Sequence, residues 1–153
     1  MIRNEEEYQE AVSRMKVEQQ RIEDQKSDFE KEGLSDEQIK RLTDPLQSFH
    51  QQLVDDIDNY ERLKRGDFDV LNNLHGIGRT LIGVRVYLGL SQSELAEKLG
   101  VDQSQVSRDE RNEYHNISVT RLHKILDLFS ALGVSLVTHV NVNTPAGKSP
   151  LAA

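Results

Sequence analysis

The chain has 153 residues, of which 36% are apolar and 29% charged, and its net charge is −7. This is a polar composition for one packed globule, and it predicts an elongated part that buries little joined to a compact part that buries more. The absence of cysteine excludes disulfides and thiolate metal sites, no apolar run reaches bilayer length, and the acidic opening Met1-Ile2-Arg3-Asn4-Glu5-Glu6-Glu7 is no signal peptide, so a cytoplasmic location is expected. The acidity is uneven. Residues 1–65 hold eleven Lys/Arg against seventeen Asp/Glu, whereas residues 66–153 hold eight against nine.

Residues 4–32 have no strong breaker and are rich in Glu, Gln, Lys and Arg, which favour helix. Tyr8, Met15, Ile22 and Phe29 recur every seven residues and form a narrow coiled-coil-like stripe, with Ala11 and Val12 beside it. Gly33 is the expected stop. Ser35 and Gln38 form a capping box that opens a short helix to about Leu42. Asp44-Pro45 then reads as a new N-cap with proline at the first helical position. Leu46, Phe49, Leu53, Ile57, Tyr60 and Leu63 give the stripe of the helix that follows. The expectation for residues 1–66 is an acidic helical hairpin that serves dimerisation or partner binding.

Gly66 should end that helix. From Asp69 to Leu88 the positions Leu71, Leu74, Leu81, Val84 and Leu88 predict another helix, interrupted at His75-Gly76-Ile77-Gly78. The Gly-x-Gly pair there lacks a third glycine, a preceding strand and a Lys-Ser/Thr, so it is read as a helix junction and not as a phosphate loop.

Residues 90–112 carry the most informative pattern. Ser91 and Glu94 form a second capping box. Leu95, Ala96 and Leu99 make an apolar face, and the small Ala96 lets another helix approach closely. Gly100 stands where a left-handed cap is needed. Asp102 is the next N-cap candidate, and Val106 anchors a second short helix. Two short helices joined by a glycine turn define a helix-turn-helix. The second helix exposes Gln103, Ser104, Ser107, Arg108 and Arg111. Glutamine pairs bidentately with adenine and arginine with guanine in the major groove, so this face has the chemistry of base reading.

The segment resembles the Cro/cI-type (XRE) helix-turn-helix repressors through Leu90, Ser91, Gln92, Glu94, Leu95, Ala96, Leu99, Gly100, Val101, Val106, Ser107 and Glu110. The resemblance implies a mainly all-α fold with a five-helix DNA-binding domain over residues 67–133. The last two of its helices would follow the motif, with Ser118 as a cap and Leu122, Ile125, Leu126 and Phe129 as their apolar positions. It also implies base contacts by Gln103, Ser104 and Arg108, and phosphate-backbone contacts by Gln92, Ser107, Arg111, Asn112 and Asn116. Asp109 occupies a slot that the family fills with an apolar residue. The expectation is that Tyr114 or Ile117 fills it while Asp109 turns outward. Asn112 likewise stands where the family often has glycine.

Beyond the domain, Val134, Leu136, Thr138, Val140 and Val142 alternate with their neighbours, which predicts one strand over residues 134–143. A lone strand has open edges, so it is expected to pair across a two-fold axis through Val134, Leu136, Val140 and Val142. Pairing within the chain is the alternative. Residues 144–153 read as a disordered tail. His50, His75, His115, His123 and His139 form no metal-binding arrangement, no nucleophile motif is present, and no cofactor or enzymatic chemistry is expected. The combined reading is a homodimeric repressor on a palindromic double-stranded operator, associated with the nucleoid when bound to DNA. One alternative is an antitoxin of the HigA kind that grips a toxin with the hairpin and represses its own operon. Another is a protein adaptor that does not bind DNA.

Overall fold

The computed structural model describes residues 1–139. Six helices form the described part: α1 (Glu5–Lys31), α2 (Asp36–Lys64), α3 (Ile77–Tyr87), α4 (Gln92–Leu99), α5 (Gln103–Arg111) and α6 (Val119–Ala131).

Helix α1 starts where Asn4 accepts a hydrogen bond from the Glu7 backbone N–H, and three glutamates in its first turn complement the helix dipole. It ends ahead of Gly33, which adopts a φ of +81°. The Ser35/Gln38 capping box is formed and opens α2. That helix then runs unbroken through Pro45, so the expected short helix to Leu42 and the fresh start at Asp44 are one element. An internal proline costs a helix roughly 3 kcal/mol. Packing of α2 along α1 outweighs that cost, a tertiary effect that local punctuation does not encode.

The two helices lie antiparallel. At the open end of the hairpin, Tyr8 stacks on Tyr60 with ring centroids 5.0 Å apart. Tyr8 also donates to Glu61 at 2.6 Å, and Lys64 meets Glu5 at 2.7 Å. The seam residues of α2 are Ile39, Thr43, Leu46, His50, Leu53, Ile57 and Tyr60, all buried or half-buried. This alternating three- and four-residue step leaves Phe49 outside the seam and 69% exposed, although the stripe predicted it inside.

Gly66 follows α2 with a φ of +81°. The helix expected from Asp69 begins only at Ile77, because Asn73, Leu74 and Gly76 all take left-handed backbone conformations. Helix α3 is buried from Leu81 through Val86 and is the hub of the fold. One side (Leu81, Ile82, Val84) joins Leu95, Ala96, Val106, Tyr114, Ile125 and Phe129 in the main core. The other side presents Val86 to Ile2, Ala11, Ile57 and Tyr60 of the hairpin. The base of the hairpin is thus packed directly on the helical domain.

One helix, not two, follows the motif. Residues 112–116 are turns, and α6 then starts at its cap Ser118, which accepts from the Arg121 N–H at 3.2 Å. Residues 134–139 have no strand conformation; Val134 is half-buried against the core and Leu136 is exposed. Val140, Val142, the rest of the expected strand and the expected tail lie outside the described residues.

Candidate nucleic-acid interface

The helix-turn-helix is built by local rules. Ser91 and Glu94 cap α4 reciprocally, and Gly100 closes it in the left-handed conformation at φ +67°. Asp102 has the extended backbone of an N-cap, but its side chain makes no capping hydrogen bond. Leu95 and Ala96 of α4 and Val106 of α5 are at most 2% exposed, so the second helix is clamped by close packing.

With Val106 and Glu110 facing inward, α5 turns Gln103, Ser104, Arg108 and Arg111 to the outside, and Ser107 is half-buried. Arg108 folds along the helix and its Nε donates to the Ser104 carbonyl at 3.2 Å. Asn112 and Asn116 are exposed in the following turn. The expected base-reading residues therefore share one outward face, with the expected backbone-contacting residues at its margins. Gln92 differs in one respect. Its side-chain amide donates to the Glu110 carboxylate at 2.8 Å.

Glu110 is the inward anchor of α5. Its carboxylate and the Arg85 guanidinium form an ion pair whose side chains are 0% and 2% exposed. Arg85 Nη2 reaches one carboxylate oxygen at 2.7 Å while Nε donates to the other. The same guanidinium donates from Nη1 to the Leu90 carbonyl at 2.7 Å and from Nη2 to the Arg3 carbonyl at 2.8 Å. Sequence reasoning missed Arg85. The available signal was a single charge inside the apolar run 81–86, together with Glu110 four residues after Val106 on the inner face of α5.

The exit from α5 follows half of the expected exchange: Tyr114 is in the core, but Asp109 does not turn outward, because Arg121 of α6 holds it half-buried. Tyr114 occupies the core slot at 5% exposure. Burial, reinforced by the Glu110 charge, pushes its phenol well above the ordinary range. Asp109 is half-buried and turned toward Arg121, with the charged atoms 2.7 Å apart but the N–H groups not aimed along a hydrogen bond. The left-handed residues are Glu113, Tyr114 and Asn116, whereas Asn112 keeps a negative φ, so no glycine is needed at 112.

Ion pairing around the motif sets the charge of its outer face. Arg79, Arg85 and Arg121 pair with Glu113, Glu110 and Asp109. Among the described residues Arg108 and Arg111 form no ion pair, so they are the uncompensated cations of α5. A domain of near-neutral total charge thus presents positive charge where its second motif helix faces outward.

Residues 84–137 match the helix-turn-helix family model. About a third of the chain is therefore a helix-turn-helix, a fold that supports DNA binding in transcription regulation. No curated protein and no solved structure matches the chain significantly. No helix among the described residues is long and apolar enough to cross a membrane.

Proposed function

We propose that the protein is a sequence-specific, dimeric repressor that reads a palindromic operator with α5. Arg108 is the observation that carries this reading: an exposed arginine without an ion-pair partner among the described residues, on a helix whose opposite face is locked into the core. Gln103, Ser104 and Arg108 take the base edges, with arginine suited to guanine and glutamine to adenine. Gln92, Ser107, Arg111, Asn112 and Asn116 take the phosphates and fix the register. Two copies, joined through Val134, Leu136, Val140 and Val142, set two recognition helices about one DNA turn (~34 Å) apart. Near-neutral charge makes non-specific affinity low, so discrimination rests on a few contacts doubled by symmetry. The test is selection of duplexes by the full chain from a random-sequence pool, followed by sedimentation of the chain alone and with the selected duplex. Palindromic half-sites and a dimeric mass support the proposal. No enrichment removes the DNA-reading assignment, and a monomer at micromolar concentration removes the dimer.

A second reading concerns residues 1–66, which we assign to partner binding with the helix-turn-helix domain beginning at residue 67. It is favoured by the apolar side chains that the hairpin leaves in solvent: Phe49 at 69%, Val17 at 68% and Leu42 at 52% exposure. An acidic hairpin with such side chains suits a basic protein such as a toxin, whose neutralisation would accompany autoregulation. Co-purification of a basic protein with the full chain, lost on Phe49→Ser, supports it; a chain that purifies alone from its native operon contradicts it.

A further inference from the structure

The arm that precedes α1 is tied to the inner face of the DNA-reading helix. Ile2 is 7% exposed and packs with Ala11, Ile57, Tyr60 and Val86. That anchorage presents the next residue's carbonyl to Arg85, whose Nη2 donates to it at 2.8 Å across 82 positions of sequence. The Arg3 side chain takes no part, since it points to Glu7 at 3.7 Å. The buried guanidinium therefore bridges three elements: the arm through Arg3, the start of the motif through Leu90, and α5 through Glu110.

We propose that residues 2 and 3 are positioning residues for the recognition helix, with the Arg3 carbonyl completing the shell that holds the Arg85–Glu110 pair and so the orientation of α5. A buried guanidinium donor that loses its acceptor retains the desolvation cost of its charge. The pair recovers solvation by admitting water, and Glu110 is the only polar residue of α5 that is fully buried. Loosening the arm thus loosens α5 before it loosens α6, which is held by Ile125 and Phe129 in the apolar core. The hairpin and the DNA-reading face become one coupled unit: an occupant of the hairpin base that displaces the arm weakens operator binding. The functional consequence rests on the DNA-reading assignment of α5; the coupling itself does not.

The experiment compares amide hydrogen exchange in the full chain and in three variants, Ile2→Asn, Ile2→Val and Arg3→Ala. Ile2→Asn should raise exchange across Gln103–Arg111 by about tenfold, the effect of one lost charged hydrogen bond, with α6 unchanged. Ile2→Val should restore protection, and Arg3→Ala should leave it unaltered because the carbonyl remains. Unchanged exchange in α5 of Ile2→Asn overturns the proposal, as does an equal rise in α5 and α6, which signals general destabilisation. A rise in Arg3→Ala matching that of Ile2→Asn assigns the effect to the side chain and also overturns it. If Ile2→Asn does not fold, Ile2→Ala is read by the same criteria. The same variants are then titrated with the duplex selected by the unmodified chain. Ile2→Asn should bind about tenfold more weakly and Ile2→Val normally. Failure of the unmodified chain to select any duplex overturns the DNA reading, while the exchange result still decides the coupling.

Discussion

Gly78 on α3 lies against the backbone carbonyl of Glu113 in the turn after α5, so closely that a Cβ at position 78 would overlap that oxygen. The two residues are far apart in sequence, and their contact fixes how the chain leaves α5. Gly78→Ala forces backbone to move, because a carbonyl cannot rotate away as a side chain does. The expected loss is about 3 kcal/mol or more. Gly83→Ala is the control. Its Cβ would come within 2.7 Å of a Leu63 methyl, a flexible group, and alanine regains helix propensity there. That variant should lose only about 1–2 kcal/mol. Urea denaturation of both measures the difference.

Arg85 and Glu110 are worth more as a pair than either is alone. Glu110→Ala leaves a buried guanidinium without its counter-charge and should cost about 3–5 kcal/mol. The double variant Arg85→Met with Glu110→Leu removes both charges and should be considerably less destabilised than the sum of the single variants. A double-mutant cycle in urea checks this.

The α4 cap should show in acid. The Ser91 backbone N–H and hydroxyl both donate to Glu94 at 2.7 Å and hold its carboxyl below the usual carboxylate range. A group whose pKa is depressed by folding contributes fully above its ordinary value of 4.5 and is lost as pH falls through the folded value. The Tm advantage of the unmodified chain over Glu94→Gln should therefore be constant near neutrality and shrink as pH falls below 4.5.

Phe49 should be dispensable for folding. Phe49→Ser is expected to change stability by less than about 0.5 kcal/mol, since the ring lies outside the hairpin seam. Ile57→Ala, inside that seam at 8% exposure, should cost about 2–5 kcal/mol. Thermal unfolding of the two variants separates a surface role from a structural one.

What was legible in the chain was local. The capping boxes at Ser35 and Ser91, the glycine turn at 100 and the cap at Ser118 each lie within a few residues of their partners, and each formed. The outward face of α5 followed from Val106 and helical spacing. What was hidden depends on distant partners. Pro45 remains in a helix because α1 lies alongside it. Residues 69–76 lose the predicted helix to left-handed conformations that apolar spacing does not report. Arg85 acquires its role only when Glu110, Leu90 and Arg3 converge on it. The pairing of Asp109 with Arg121, which frees the core slot for Tyr114, likewise joins two helices.

The proposed reading of DNA by α5 through Arg108 is measured as affinity for a duplex selected by the unmodified chain. Arg108→Ala should weaken binding by about 1–3 kcal/mol, relax base preference at one position in each half-site, and leave the fold intact. Unchanged affinity and unchanged preference at every position would contradict the account.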